Sequence, residues 1–139
     1  MLGNEFSYQN SNISQVPLKL LLNKMVVFCN KREEGTQLSR PVVEYYYKDD
    51  SLGDPIVSEE HIAAFNWASS QDMEDILGLA LRVNDFLSGV MFSVGIKLVD
   101  FKIEIGRFFD GAYQRLLIAD EISPDSCRLW DIKSVKKLD

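Results

Sequence analysis

Two different spacings of apolar residues organise the second half of this chain. Over residues 71–93 apolar side chains recur every three or four positions, which predicts one long amphipathic helix that follows the Ser69–Ser70 pair and stops at Gly95. We expect the apolar stripe of this helix to pack into the core. The stripe consists of Met73, Ile76, Leu77, Ala80, Val83, Leu87, Val90, Met91 and Val94.

Residues 97–106 alternate with period two, which is typical of a strand that buries one face. The apolar face carries Val99, Phe101, Ile103 and Ile105, and the other carries Leu98, Asp100, Lys102 and Glu104. Asp110-Gly111 is a strong turn signal, after which a second apolar run returns over residues 113–120. The pattern predicts an antiparallel hairpin.

The first half of the chain contains shorter elements. Its first fifteen residues are polar and rich in Asn and Ser, which indicates a tail. The runs 16–22 and 25–29 are candidate strands, and Asn23-Lys24 between them would permit a tight hairpin. The β-branched and aromatic run 40–50 predicts a further strand that ends in charged residues.

A turn and a short helix follow that strand. The segment SLGDP has turn chemistry, in which Gly53 supplies conformational freedom and Pro55 is expected to hold Asp54 in an extended conformation. Ser58 followed by two glutamates has the composition of a helix N-terminus, and it predicts a helix that runs to about Phe65.

Composition narrows the class of protein. With 139 residues, 46% of them apolar, the chain is long enough for one domain with a core. A net charge of -6 and a pI of about 4.8 argue against a general binder of nucleic acid or of anionic membranes, although a phosphorylated substrate needs only a few local cations or a metal ion. There is no secretory leader, no apolar run of roughly 18 residues and no disulfide framework from Cys29 and Cys127, so we expect a reducing, cytoplasmic setting and no membrane span.

Charged residues of the predicted hairpin could meet on one face. The inbound strand carries Asp100, Lys102 and Glu104 in line, and the outbound strand ends in Asp120-Glu121. Two carboxylates with a lysine between them would suit Mg²⁺ and the phosphates of a nucleotide. Ordinary lysine–carboxylate pairs on a solvated sheet face would give the same spacing, so the spacing alone leaves both interpretations open.

The hairpin segments LVDFKIEIG (98–106) and LLIADEISPD (116–125) resemble the two characteristic motifs of the phosphoribosylaminoimidazole-succinocarboxamide synthase (SAICAR synthetase) family. They stand in the family's order and at about its spacing. The first differs from the usual Asp-x-Lys-x-Glu-Phe-Gly only at Ile105, and the second is matched in full and continues into SCRLWD (126–131). EEGT, PVVEYYYKDDSLGDP and FNW are also similar to family text, so the resemblance covers about residues 32–139.

This resemblance implies an α+β fold, an antiparallel sheet packed with helices. It corresponds to the large lobe of a SAICAR-synthetase-like (ATP-grasp/kinase-like) enzyme, without the N-terminal ATP-binding lobe. Family members are ATP-dependent ligases that use Mg²⁺ to join L-aspartate to the carboxylate of CAIR, the carboxylated aminoimidazole ribonucleotide of purine biosynthesis. The implied route is phosphoryl transfer to that carboxylate, followed by attack of the aspartate amine.

The resemblance also implies roles for individual residues. Glu104 and Asp120 match the carboxylates that bind Mg²⁺–ATP, and Lys102 matches the lysine that reaches anionic groups at the reacting centre. Asp100 stands at the leading aspartate of the first motif, where we expect it to orient Lys102 or the substrate.

Other matched residues lie outside that centre. Arg128 corresponds to an arginine of the CAIR pocket, where a planar guanidinium suits carboxylate or phosphate, and Lys48 and Asp54 correspond to a loop that lines the nucleotide and substrate cleft. We expect only turn, capping, surface or packing roles for Ser123, Pro124, Asp125, Asp131, His61, Cys127, Trp67 and Trp130.

The resemblance fails upstream of these motifs. After its Val-Pro-Leu strand the family has Arg-Asn and an Ala-Gly-Ser turn, where this chain reads LLLNKMVVFC. We therefore divide the chain into a divergent segment, 1–30, for which out-of-frame translation is one explanation, and a partial catalytic domain, 31–139.

Two readings compete with an active ligase. One is a non-catalytic remnant that keeps nucleotide or Mg²⁺ binding or serves as a subunit-interaction module. The other is an unrelated acidic α+β binding domain. Because a missing lobe would leave apolar surface exposed, we also expect a homo-oligomer.

Overall fold

The computed structural model describes residues 13–25, 36–120, 122–134 and 137–138, in which one sheet is covered on one face by a long helix. The elements are β1 (Ile13–Met25), β2 (Gln37–Tyr47), β3 (Ile56–Val57), α1 (Glu59–Ala64), α2 (Ser70–Ser93), β4 (Ile96–Phe109), β5 (Gln114–Ile118) and β6 (Cys127–Asp131). This architecture confirms the α+β class.

All pairings within the sheet are antiparallel, in the order β3–β2–β1–β4–β5, with β6 also paired to β4. The 14-residue strand β4 organises the sheet because β1 pairs with it along one edge while two short strands share the other. On that shared edge β5 pairs with residues 105–109 and β6 with residues 96–101. The predicted hairpin is confirmed: its loop is closed by a 3.2 Å hydrogen bond from Asp110 N to Tyr113 O, and Gly111 has φ +94°.

Both predicted helices are present. Ser58 caps α1, and Ser69 caps α2 by accepting a 3.1 Å hydrogen bond from Asp72 N while Asp72 accepts one of 2.9 Å from Ser69 N. Gly95, at φ +78°, lies just beyond the C-terminus of α2. By length and composition α2 could cross a membrane, but it packs one side against the sheet, as the core helix of a globular domain does.

The predicted apolar stripe of α2 is only partly buried. Ile76, Ala80 and Leu87 belong to the core, whereas Val90 and Val94 are exposed. The prediction that the whole stripe packs inward is therefore wrong. A single helix lying on one sheet buries a narrower arc than the stripe spans, so residues at the margins of the stripe remain in solvent.

Strand β4 departs from the predicted alternation at a bulge. One step along β6, from Leu129 to Arg128, corresponds to two steps along β4, from Leu98 to Asp100. As a result Leu98 belongs to the main core, whereas Val99 packs apart from it against Trp130. The predicted assignment of these two residues to opposite faces is reversed.

The structure corrects the reading of the chain's first strand. Residues 16–22 are confirmed as a strand, but β1 continues through Asn23-Lys24 to Met25, so the predicted tight hairpin is wrong. Residues 13–15, assigned to a tail, also belong to β1. The strand is long because β2 and β4 supply hydrogen bonds to its two edges. The predicted strand over 25–29 otherwise lies outside the described residues.

The predicted strand over 40–50 is confirmed as β2, but the turn after it differs from the prediction. Gly53 has φ +69°, as its conformational freedom suggests, yet Asp54 has φ +49° and is not extended. The side chain of Asp54 accepts a 2.9 Å hydrogen bond from Asp49 N, and Asp54 N donates one of 3.2 Å to Asp49 O. These local bonds hold a left-handed conformation that Asp tolerates better than most residues.

Candidate active site

A gap between two short strands positions the charged residues of β4. Strand β5 stops pairing at Ile105 and β6 begins at Phe101, so the segment 102–104 has neither strand beside it. Residues on either side of position 121 lie here: Ala119 N donates a 3.0 Å hydrogen bond to Glu104 O, and Ser123, Asp125 and Ser126 line the same cavity as Glu104. Asp120 and Glu104 thereby line one cavity, an arrangement that the spacing of the hairpin allowed but did not require.

The charged residues share the face of the sheet opposite α2. Lys19 of β1 lies directly across from Glu104, and Leu21 lies across from Lys102. Residues that face each other in an antiparallel pair project from the same side, so Lys19 joins the charged face while Phe101, Ile103 and Ile105 face the core.

Three ion pairs connect this face. Lys48 Nζ bonds to Glu104 Oε2, Lys19 Nζ bonds to Asp54 Oδ2, and Arg128 Nη2 lies 2.7 Å from Asp100 Oδ2. Asp100 is 3% exposed, and its bridge is to Arg128, not to Lys102. All seven residues proposed from the sequence therefore lie on one charged surface, either in these pairs or along its cavities.

The pKa values of this surface reflect those contacts. Partial burial alone would lower the pKa of Lys48. The hydrogen bond and charge of Glu104 outweigh this effect, together with the charges of Asp120 and Asp50. The pKa of Lys48 is therefore raised above its ordinary value. The hydrogen bond from Lys19 lowers the pKa of Asp54. Both groups are therefore held in their charged forms at neutral pH.

Two adjoining cavities open on the charged surface. One, of about 490 Å³, is lined by Asp100, Cys127 and Arg128, and the other, of about 200 Å³, is lined by Lys19, Glu104 and Asp120. Lys102, Asp125 and Ser126 line both cavities. Lys102 thus borders a compartment that offers a guanidinium on one side and a compartment that offers paired carboxylates on the other.

Lys102 differs from the other cations of this surface in being exposed. Lys19, Lys48 and Arg128 each contact a carboxylate, whereas no carboxylate among the described residues forms an ion pair with Lys102. Its charge is available to an incoming anion at the border of the two cavities.

The smaller cavity has the donors that Mg²⁺ uses. Glu104 and Asp120 supply carboxylate oxygens, and in the described part of the chain no group of three or more His, Cys, Asp or Glu side chains is placed to hold a metal. Mg²⁺ characteristically takes one or two protein carboxylates and completes its octahedron with phosphate oxygens and water. The residues present fit such an ion, and they do not form a closed metal cage.

Among the residues that were given structural roles, His61 and Asp131 hydrogen-bond within their own segments, and Cys127, Trp67 and Trp130 pack within the fold. His61 is exposed and its Nδ1 accepts a 3.1 Å hydrogen bond from Ser58 N, so it caps α1. Asp131 accepts a 2.6 Å hydrogen bond from Ser134 N. Cys127 is buried, which raises its pKa. Trp67 stacks on Tyr47 and on Phe65, with ring centroids 4.4 Å and 5.0 Å apart, while Trp130 is buried.

Lys19 is the site residue that the sequence analysis missed. It lines the carboxylate cavity and holds Asp54 against the sheet. The available signal was a single lysine inside the apolar run 16–22, which indicates one charged position on a strand buried on its other face.

The chain is therefore an α+β domain whose antiparallel sheet carries two adjoining cavities, lined by charged side chains, on one face. The family model for SAICAR synthetase matches residues 21–139, and on that match the chain belongs to the SAICAR synthetase family. The match begins within the segment 1–30 that the sequence analysis set apart. The division of the chain at residue 30 stays a prediction.

Individual relatives agree with the family match. The chain is 67% identical over 132 residues to the phosphoribosylaminoimidazole-succinocarboxamide synthase of Roseobacter denitrificans, covering 92% of this chain and 52% of that protein. It is 77% identical over 106 residues to the Dinoroseobacter shibae enzyme of the same name, covering 76% and 42%. The chain thus spans about half the length of these curated relatives.

Solved structures show the same fold. The SAICAR-forming synthase of Ehrlichia chaffeensis superposes with a TM-score of 0.83 at 44% identity, covering 91% of this chain and 55% of that one. A SAICAR synthetase in complex with ADP superposes with a TM-score of 0.82 at 37% identity, covering 91% and 55%. The fold predicted from the resemblance is confirmed.

Proposed function

We propose that this chain carries the carboxylate-activating part of a SAICAR synthetase site, which uses ATP to join L-aspartate to the carboxylate of CAIR. The observation that carries the proposal is the position of Lys102 at the border of two cavities. One cavity offers Arg128 to an anionic substrate, and the other offers Glu104 and Asp120 to a metal–nucleotide complex. This arrangement suits a phosphoryl group that passes from one compartment to the other.

The proposed chemistry explains why an exposed lysine stands at the border of the two cavities. A carboxylate is a poor electrophile until it is phosphorylated, and the transfer collects negative charge between donor and acceptor. Lys102, which has no carboxylate partner among the described residues, would neutralise that charge, while Arg128 would hold the acceptor through its planar guanidinium. Asp100 would act through Arg128 by fixing the orientation of the guanidinium.

Mg²⁺ belongs to this proposal as the partner of the nucleotide. Glu104 and Asp120 are the residues that would hold it, beside Lys48 and Lys19 on the same surface. When bound, the ion would neutralise phosphate oxygens. The relative solved with ADP supports nucleotide binding by this fold.

The second candidate function is nucleotide binding without completion of the ligase reaction. The chain spans only 52% of the R. denitrificans relative, so the residues that complete the site in the relatives need not all lie in it. Turnover with ATP, CAIR and L-aspartate separates the two candidates. Binding without turnover supports the second.

We further propose that the chain is cytoplasmic and self-associates. The second proposal is supported by Phe86 and Phe92 of α2, which are 69% and 72% exposed on an otherwise acidic domain. Sedimentation of the wild-type chain beside a Phe92→Ser variant tests it. A monomer in both would contradict self-association through Phe92.

Calorimetry with Mg²⁺–ATP tests the metal and nucleotide part of the proposal. We expect weak binding by the wild-type chain and at least about fivefold weaker binding by Glu104→Gln, because the substitution removes one of two carboxylate charges. Glu74→Gln, which changes an exposed carboxylate on the far side of the sheet, is the matched control and should bind like wild type. Equal heats from wild type and Glu104→Gln would overturn the assignment.

A further inference from the structure

Lys48 reaches the carboxylate cavity from a different strand. Its backbone follows β2 and is fixed by a 3.0 Å hydrogen bond from Lys48 N to Pro17 O, at the edge of β1. Strand β1 separates β2 from β4, so the side chain crosses β1 to bond to Glu104. The anchor is rigid, and the four-carbon stem beyond it is not.

The ammonium of Lys48 occupies the place where carboxylates converge. The ammonium donates a hydrogen bond to Glu104, whose side chain is 12% exposed. The negative charges of Asp120 and Asp50 also favour the charged form of Lys48 and raise its pKa. A largely buried Glu104 carboxylate without a cation would be costly, so this contact neutralises it. Lys19, the neighbouring cation, bonds instead to Asp54.

A divalent cation and the Lys48 ammonium would compete for Glu104. Both are cations that need the same carboxylate oxygens, and at a separation of a few ångströms they repel each other. The stem of Lys48 allows the ammonium to move away while the backbone stays bonded to Pro17. The phosphates of a nucleotide at this cavity would offer the displaced ammonium new anionic partners.

We propose that Lys48 is a placeholder cation. Its ammonium neutralises Glu104 before a divalent cation binds, and it then moves to form ion pairs with the nucleotide phosphates. The inference rests on the proposed function, since it assumes a metal–nucleotide complex at Glu104 and Asp120. Lys48 therefore has two opposite effects on metal affinity. It weakens binding of the metal alone, and it strengthens binding of the metal together with a nucleotide.

The test is the affinity of the full chain for Mn²⁺, measured from the electron paramagnetic resonance signal of the free ion, with and without ADP. We expect Lys48→Met to bind Mn²⁺ alone about three- to tenfold more tightly than wild type, because the competing ammonium is gone. In the same variant we expect ADP to improve Mn²⁺ binding less than it does in wild type. Lys48→Gln should behave alike and serves if the methionine variant does not fold.

Lys133→Met is the control. It removes the same charge at an exposed lysine beyond β6 that lines neither cavity of the charged surface. A gain in Mn²⁺ affinity below about twofold is expected from this change in net charge alone. Equal gains from Lys133→Met and Lys48→Met would reduce Lys48 to a distant charge and overturn the placeholder role.

Glu104→Gln separates this inference from the proposed function. If Glu104→Gln weakens Mn²⁺ binding while Lys48→Met leaves it unchanged or weakens it, the metal site stands and the placeholder role is wrong. If Glu104→Gln leaves Mn²⁺ binding unchanged, or no Mn²⁺ binds, the metal assignment fails and both proposals fall with it.

Discussion

The buried carboxylate of Asp100 meets the guanidinium of Arg128 at 2.7 Å, across the bulge that strand β4 makes against β6. Asp100 is 3% exposed, whereas the side chain of Arg128 is 37% exposed. The bulge places Asp100 opposite Arg128, and the pair closes one end of the larger cavity. One contact therefore serves both the fold of the sheet and the substrate side of the site.

This asymmetry predicts unequal costs for the two halves of the pair. Arg128→Met removes the cation that bonds to this buried carboxylate and should lower the free energy of unfolding by about 2 kcal/mol. Asp100→Asn keeps the shape and leaves an arginine that water can solvate, so about 1 kcal/mol is expected. Urea unfolding measures both, and a larger loss for Asp100→Asn would contradict the burial argument.

The ion pair between α2 and β4 predicts a pH dependence of stability. Arg107 donates hydrogen bonds of 3.0 Å and 2.8 Å to the two oxygens of Asp72 and lowers its pKa from 3.8 to about 2. A folded-state pKa below the unfolded value means that the stabilisation is complete above pH 3.8 and is lost as the pH falls toward 2. Asp72→Asn should therefore cost about 1 to 2 kcal/mol at pH 7 and almost nothing at pH 2.

Urea denaturation across that pH range measures the effect. Asp75→Asn is the control, because Asp75 is an exposed carboxylate in the same helix that accepts a hydrogen bond from Gln71 rather than an arginine. A difference between wild type and Asp72→Asn that persists unchanged to pH 2 would show that the ion pair is not its source.

Two glycines predict opposite effects of the same substitution. A methyl group at Gly53 or at Gly78 meets no atom within 4 Å, so only the backbone conformation distinguishes the two positions. Gly78 lies inside α2, where alanine should stabilise the chain by about 0.5 to 1 kcal/mol. Gly53 has φ +69°, where alanine should destabilise it by about 1 kcal/mol. Thermal unfolding of the two variants should shift in opposite directions, and shifts of the same sign would be the contrary result.

The position of Lys102 predicts a loss of binding without a loss of stability. Lys102→Met should weaken Mg²⁺–ATP binding by about tenfold, because the removed charge is exposed and borders both cavities. Its unfolding free energy should stay within about 0.5 kcal/mol of wild type. Fluorescence competition with a labelled nucleotide measures the affinity, and Lys133→Met, at an exposed lysine beyond β6, is the control.

The hairpin and its charged residues could be predicted because their signals are local. Alternation along β4, the Asp110-Gly111 turn and the motif text together indicate that Glu104 and Asp120 meet. The helix α2 follows equally from its spacing and its serine cap. Such features depend on residues that are close in sequence, so tertiary packing does not override them.

Other features depend on partners that are distant in sequence. Lys19 becomes a site residue because β1 lies between β2 and β4, and the side chain of Asp54 is tied to the charged face through its ion pair with Lys19. The bulge beside Val99 follows from the register with β6, which no local pattern encodes. Only the assembled sheet reveals these contacts.

Amide chemical shifts of the ¹⁵N-labelled chain, titrated with Mg²⁺–ADP, test whether the nucleotide binds at the charged face of the sheet. We predict that the shifts concentrate at Lys102, Glu104 and Asp120, which line the carboxylate cavity. Arg82 and Arg115, which line a separate cavity of about 570 Å³ beside α2, should not shift. Shifts confined to Arg82 and Arg115, or no shifts at millimolar nucleotide, would contradict the assignment of the charged face as the nucleotide site.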